Sequence, residues 1–116
     1  MDQEIEKEIQ DKGLTAPRVT PADIEANIAS ECYFTAYQGA KYARIIRSEP
    51  DNSEALKLLT FCVLVLQNGF TLTGESACAS PENFDAELGI KIARANAVNK
   101  IWPLMDYELR SKLAAG

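Results

Sequence analysis

Apolar positions along the chain fall into blocks separated by turn chemistry, and their spacing predicts helices in most of them. With successive residues set about 100° apart, Ile24, Ile28, Cys32, Thr35, Gly39, Tyr42, Ala43 and Ile46 share one face, the stripe expected of a helix lying on a core. Thr20-Pro21-Ala22-Asp23 precedes that stripe and reads as a helix start: Thr20 can cap, Pro21 suits the first helical position, and Asp23 can complete a capping box. A long first helix is therefore predicted over 20–48, with Gly39 marking a close approach or a break. Ser48-Glu49-Pro50-Asp51-Asn52-Ser53 is turn chemistry, after which Ser53 can cap a second helix over 54–67.

That second segment is apolar around its whole circumference from Leu56 to Leu66, which predicts a central helix. A strand over 61–66 is the competing reading, because a short apolar run carries no period; Glu54-Ala55-Leu56-Lys57 upstream favours helix. Asn68-Gly69 supplies a left-handed stop, and Phe70-Thr71-Leu72-Thr73 alternates apolar with polar before Gly74, so it is extended. A third helix starts at Ser80-Pro81 or at Asn83 and is expected to break at Pro103, leaving a last short helix over 105–114. It is apolar on two sides: Phe84, Leu88, Ile92, Ala95 and Trp102 on one, Ala86, Ile90, Ala93, Ala97 and Ile101 on the other. Such a helix needs two partners, and the small row Gly89, Ala93 and Ala97 would let a neighbouring helix come close. A second copy of the chain is one candidate partner, so a homo-oligomer is expected.

The pattern as a whole predicts a mainly α fold, a small bundle of three to four helices with one short extended segment or hairpin around residues 70–77. Residues 1–19, largely charged and with only Ile5 and Ile9 at helical spacing before Gly13 and Pro17, read as a flexible or partly helical arm, and 20–116 as a single helical domain.

Composition narrows the chemistry. A formal charge of −5, from 17 acidic and 12 basic side chains, gives no general attraction to phosphate backbones or anionic lipid, so non-specific nucleic-acid binding is not expected. The apolar run Leu58–Leu66 is about half of what crosses a bilayer, and no membrane association is expected. Cys32, Cys62 and Cys78 form an odd set without C-x-x-C spacing, which fits free thiols in a reducing compartment. The sequence contains no histidine, which removes the usual general base of Ser-His and Cys-His nucleophile pairs and the commonest metal ligand. No phosphate-binding glycine pattern or metal-ligand cluster is present, so neither catalysis nor a cofactor is expected. Gly74-Glu75-Ser76-Ala77 lacks the second glycine of a nucleophile elbow and has no histidine to serve it.

Candidate contact residues lie in three groups. Tyr33, Tyr37, Lys41 and Arg44 are spaced as one helix stripe, where aromatic faces beside cations could hold a base and its phosphates; solvated cations beside half-buried tyrosines explain the same letters. Asp85, Asn96 and Lys100 line a polar strip beside Asn99, whose amide falls in the apolar Phe84/Leu88/Ile92 face and must find hydrogen-bond partners there. Arg94 belongs to a charged strip with Glu87 and Lys91. Glu75 joins Asp85 as a carboxylate candidate, with Ser76 beside it.

Leu59-Thr60-Phe61-Cys62, Asn68-Gly69-Phe70, Gly74-Glu75-Ser76-Ala77, Asn83-Phe84-Asp85, Gly89, Asn96-Ala97 and Lys100-Ile101-Trp102 stand in an order that carries a resemblance. Over about residues 17–113 the chain resembles the small-protein family of tailed phages and prophages named for gene products forty-nine and sixty-six of two such phages. It departs from that pattern at Asp106, before Tyr107, where the family has glycine. The resemblance implies a phage or prophage origin and a host-cytoplasm location, and brings no activity or site residue with it. The leading expectation is a non-enzymatic accessory protein that binds a host or phage protein; the alternative is an oligomeric binder of a small anionic ligand such as a nucleotide defence signal.

Overall fold

The computed structural model describes residues 3–43 and 53–116. In chain order it contains α1 (Gln3–Asp11), α2 (Pro21–Ala26), β1 (Ile28–Thr35), α3 (Ala36–Ala43), α4 (Ser53–Leu56), β2 (Leu59–Leu66), β3 (Thr71–Ala77), a 3₁₀ turn at Pro81–Asn83, and α5 (Ala86–Ala115). The strands form an antiparallel sheet in the order β1-β2-β3, and α5 lies across one of its faces. The predicted helical bundle is therefore wrong: the fold is α+β, and two of its strands occupy sequence read as helix.

The first error lies in 20–48. The capping box at its start is present, with the Asp23 amide donating to Thr20 Oγ1 and the Thr20 amide donating to Asp23 Oδ2, yet the helix stops after Ala26. The chain then enters β1, whose Ile-Ala-Ser-Glu-Cys-Tyr-Phe-Thr is rich in β-branched and aromatic residues. A bulge between Ile28 and Ser30 leaves Ile28 facing α5 while Ser30, Cys32 and Phe34 face away. Ile24, Ile28 and Cys32 thus fit a helical period without forming a helix, because pairing with β2 outweighs a weak local preference. The end of the predicted helix beyond Ala43, including Ile46, lies outside the described residues.

The second error lies in 54–67. Only Ser53–Leu56 is helical, and Leu59–Leu66 is the central strand. Its burial alternates strictly: Thr60, Cys62, Leu64 and Leu66 are buried under α5, while Leu59, Phe61, Val63 and Val65 are half-buried on the other face. With both faces apolar the period-two signal disappears from the sequence. Asn68-Gly69 closes a hairpin and does not end a helix. Leu66 N–H donates to the Phe70 carbonyl across the turn, and Gly69 has φ +88°, the left-handed conformation that both a helix stop and a short hairpin loop require. The extended segment expected around 70–77 is β3.

The third correction concerns α5, which is one helix from Ala86 to Ala115 with Pro103 inside it. Proline deprives the Asn99 carbonyl of its helical donor, but Asn99 is exposed, so water can replace the bond. Ile101, Trp102, Met105 and Leu109 pack on the core from both sides of the proline, which offsets its cost of about 3 kcal/mol. Asp85 caps the N-terminus by accepting from the Leu88 amide.

The core is the seam between α5 and the sheet. Ile24, Cys62, Leu64, Ala93, Ala97 and Ile101 are essentially sealed from solvent, and each large aliphatic among them contributes about 1.5–3 kcal/mol by burial. Gly89, Ala93 and Ala97 form the small-residue row foreseen from the sequence, but what comes close is a strand. A Cβ on Gly74 of β3 would stand 2.1 Å from the Ala93 carbonyl oxygen and 2.3 Å from the Ala97 nitrogen, both backbone atoms. Only glycine fits there. At Gly89 a Cβ would meet the Thr60 hydroxyl at 3.0 Å, and a side chain can turn away.

Gly74→Ala is expected to lower stability by about 3 kcal/mol or more, because helix backbone must be displaced, whereas Gly89→Ala is expected to stay within about 1 kcal/mol of the parent. Urea unfolding of the two variants, followed by circular dichroism, measures the difference.

Candidate interaction surfaces

The candidate residues named from the sequence fall at separate places. Ser76 and Asp85 line one groove where β3 meets the start of α5, whereas the Glu75 side chain is on the opposite face of the sheet and Asn96 lies about three turns further along α5. Asn96 donates from Nδ2 to the Glu75 carbonyl at 2.8 Å and so fastens the edge strand to the helix. Beside this contact runs a groove of about 270 Å³, lined by Leu58, Ser76, Cys78, Phe84, Asp85 and Leu88 among others. Leu88 and Ile92 form its rim and are 53% and 43% exposed. The Thr73 hydroxyl donates to Glu75 Oε1 at 3.1 Å, on the face of the sheet turned away from α5.

Arg94 and Asn99 lie on the flank of α5 that faces α2, in an open cleft of about 470 Å³ with Lys91, Ile24 and Trp102. Asn99 was expected in an apolar face needing hydrogen-bond partners; it is instead exposed to water beside Trp102. Arg94 bridges two elements, donating from Nη1 and Nη2 to the Glu25 carboxylate of α2 and from Nε to Glu31 of β1, at 2.8–3.1 Å. The guanidinium hydrogen bonds hold both carboxyls below their ordinary value, against a smaller opposing effect of desolvation. The same two carboxylates raise the pKa of Arg94. Both acids are charged and committed at neutral pH, so neither is a proton donor in waiting.

Tyr33 does not share a stripe with Tyr37. It is on the helix-facing side of β1 and packs against the core, and burial, with Glu31 beside it, pushes its phenol up to about 12. Tyr37 and Lys41 are on α3, with Lys41 Nζ 5.7 Å and Lys57 Nζ 4.8 Å from the centre of the Tyr37 ring. This weak cation–π cluster stands at the end of the sheet, away from Arg94. Lys100 is exposed on α5, and Arg44 lies outside the described residues. The Tyr33, Tyr37, Lys41 and Arg44 stripe presupposed one helix, and β1 followed by α3 dissolves it. Among the described residues no group of three or more metal-ligating side chains converges, and no helix is long and apolar enough to cross a membrane.

Sequence reasoning missed one surface. On the face of the sheet opposite α5, Leu59, Phe61, Val63 and Val65 of β2 form an apolar strip, flanked by Cys32 and Phe34 of β1 and by Thr71, Thr73 and Glu75 of β3. The Phe34 and Phe61 rings pack as a tilted cross-strand pair, 5.7 Å between centroids. The signal was the unbroken apolar run of 61–66: a strand apolar at every position has two faces to cover.

The Arg94 bridge ties α2 and β1 to α5, and replacing Arg94 by methionine is expected to cost about 1 kcal/mol near pH 7, since Glu25 and Glu31 are 55% and 36% exposed and solvent screens the pair. Carboxyls lowered in the folded state stabilise it above the unfolded value of about 4.5, and the effect is lost as pH falls through the lowered values. The gap between parent and Arg94→Met is therefore expected to narrow between pH 5 and pH 3, as measured by thermal unfolding at a series of pH values.

Comparison with curated proteins finds no match, and comparison with solved structures finds none either. The model of one protein family does match, over residues 19–113, a span that takes in α2, all three strands, the Arg94 bridge and α5 up to its last residues. The chain belongs to the phage protein family described as the N4 Gp49/phage Sf6 gene 66 family.

Proposed function

We propose that this chain is a non-enzymatic phage or prophage accessory protein that works in the host cytoplasm by binding a host or phage protein. The observation that carries this reading is the apolar groove at the start of α5. Leu88 and Ile92 are large, half-exposed and one helical turn apart, beside a depression lined by Leu58, Cys78 and Phe84. That is the form of a site for an amphipathic segment, whose apolar anchors enter the groove while Asp85 in its lining offers a charged contact. The non-enzymatic part rests on composition, with no histidine in the sequence, and on the engagement of Glu25 and Glu31 by Arg94.

The alternative, an oligomeric binder of a small anionic ligand, draws on the cleft where Trp102 stands beside Lys91, Arg94 and Asn99. An indole face with a cation and an amide nearby suits a base and a phosphate. Two carboxylates already occupy Arg94, however, and an anion there would have to displace one of them.

Native mass spectrometry of tagged protein drawn from phage-infected cells separates the two. The protein-binding reading expects a stoichiometric polypeptide complex that falls at least roughly tenfold in yield in Leu88→Glu/Ile92→Glu, with the melting temperature little changed because both positions are exposed. A bound mass of a few hundred daltons, retained in that variant and lost in Trp102→Ala, would replace it by the small-ligand reading.

A further inference from the structure

We propose that the sheet face turned away from α5 is a self-association surface, on which two copies of this chain stack face to face. An antiparallel sheet with one wet face normally alternates apolar and polar residues. β2 does not alternate: Leu59, Phe61, Val63 and Val65 are as apolar as the Cys62, Leu64 and Leu66 they interleave. α5 and α2 cover the other face, and α3 packs on this one at Phe34, where a Cβ on Gly39 would meet the Phe34 ring at 3.5 Å. On the rest of this face Cys32 is exposed, and Val63 and Val65 are half-buried.

The scarcity of charge points to a second copy as the occupant. In a chain of net charge −5, Glu75 is the one charged side chain among the described strand positions on this face, and the rest of its margin is Ser30, Thr71 and Thr73. An apolar centre inside a neutral polar rim is the anatomy of a protein–protein interface, and lack of charge is what a self-complementary one requires, since symmetry brings like groups to the same patch. Strands of 8, 8 and 7 residues give a face about 25 Å by 14 Å. That is about 350 Å², under half of the roughly 800 Å² per copy of a standard interface, and α3, whose Tyr42 is 92% exposed, adjoins it. Two such sheets stack about 10 Å apart with their side chains interleaved.

The proposal is independent of the groove at Leu88 and Ile92. Sedimentation of the full chain from about 1 to 100 µM is expected to show a species of twice 12.8 kDa. Val63→Glu, which places a charge at the centre of the face, is expected to weaken association by roughly a hundredfold or more, while Leu88→Glu leaves it unchanged. Because Val63 also supports the sheet, Thr73→Arg on an exposed position of the same face provides a second variant, with the same weakening expected. Alkylation of Cys32, exposed in the single chain, is expected to slow as the parent protein is concentrated and to recover in Thr73→Arg. A parent chain that sediments as a monomer throughout, or a dimer that both variants leave intact with Cys32 equally reactive at all concentrations, would overturn the proposal.

Discussion

The contact on which the rest of the structure depends is the one between Gly74 and the backbone of α5 at Ala93 and Ala97. There is no room for a single methyl group between strand and helix at this point. The seam therefore admits only small residues on the helix side, Gly89, Ala93 and Ala97, until Ile101 widens it over Leu64 and Leu66. The consequence is felt on the far side of α5. A helix that uses its sheet-facing positions for glycine and alanine must carry its large apolar residues elsewhere, and Leu88, Ile92 and Trp102 stand on its flanks. The close seam and the apolar groove are thus one arrangement, and the Asn96 bond to the Glu75 carbonyl holds both in register.

The fold was legible where local chemistry is unambiguous. The Thr20/Asp23 capping box, the left-handed Gly69, the extended character of residues from 70 onward and the two-sided third helix could all be read from the letters. The sheet was not, and the reason is particular. β2 is apolar at both parities because both of its faces are apolar, so it has no period to detect, and Glu54-Ala55-Leu56-Lys57 ahead of it favours a helix that in fact ends after one turn. In β1 the bulge at Ala29 puts Ile28 and Cys32 on opposite faces of the sheet, although their spacing of four fits a helical stripe with Ile24. Pro103 misled in the opposite direction, since packing on either side of it holds a helix that the local rule would end.

Of the candidate site, the sequence identified residues better than their relations. Ser76 and Asp85 do line one groove, because strand β3 and the start of α5 are joined by one short connection, while the Glu75 side chain is on the other face of the sheet. Arg94 was assigned to a solvated strip with Glu87 and Lys91, at intervals of one helical turn; its real partners are Glu25 and Glu31, more than sixty residues away, which no local spacing encodes. The Tyr33, Tyr37, Lys41 and Arg44 stripe failed with the helix that was to display it, since Tyr33 is on a strand and faces the core.

The molecule is a two-layer structure, 18 Å in its smallest extent against 57 Å in its longest, and two layers can bury one face of each element only. Both principal elements are two-faced. α5 has covered its small-residue side and keeps Leu88 and Ile92 half-exposed; β2 has covered Cys62, Leu64 and Leu66, and its Phe61, Val63 and Val65 are half-buried on the other face. The outer faces differ in kind. The sheet face carries one charged side chain, Glu75, among its described strand positions, whereas the α5 face is a groove in which Asp85 stands among apolar residues. Stacking through the sheets would leave a groove on each outer surface of the pair, pointing away from the other, so that one dimer could engage two partner segments without either obstructing the other. Self-association would then double the number of binding sites while leaving each one built from a single chain, and the strength of partner capture would depend on whether both segments belong to one partner molecule.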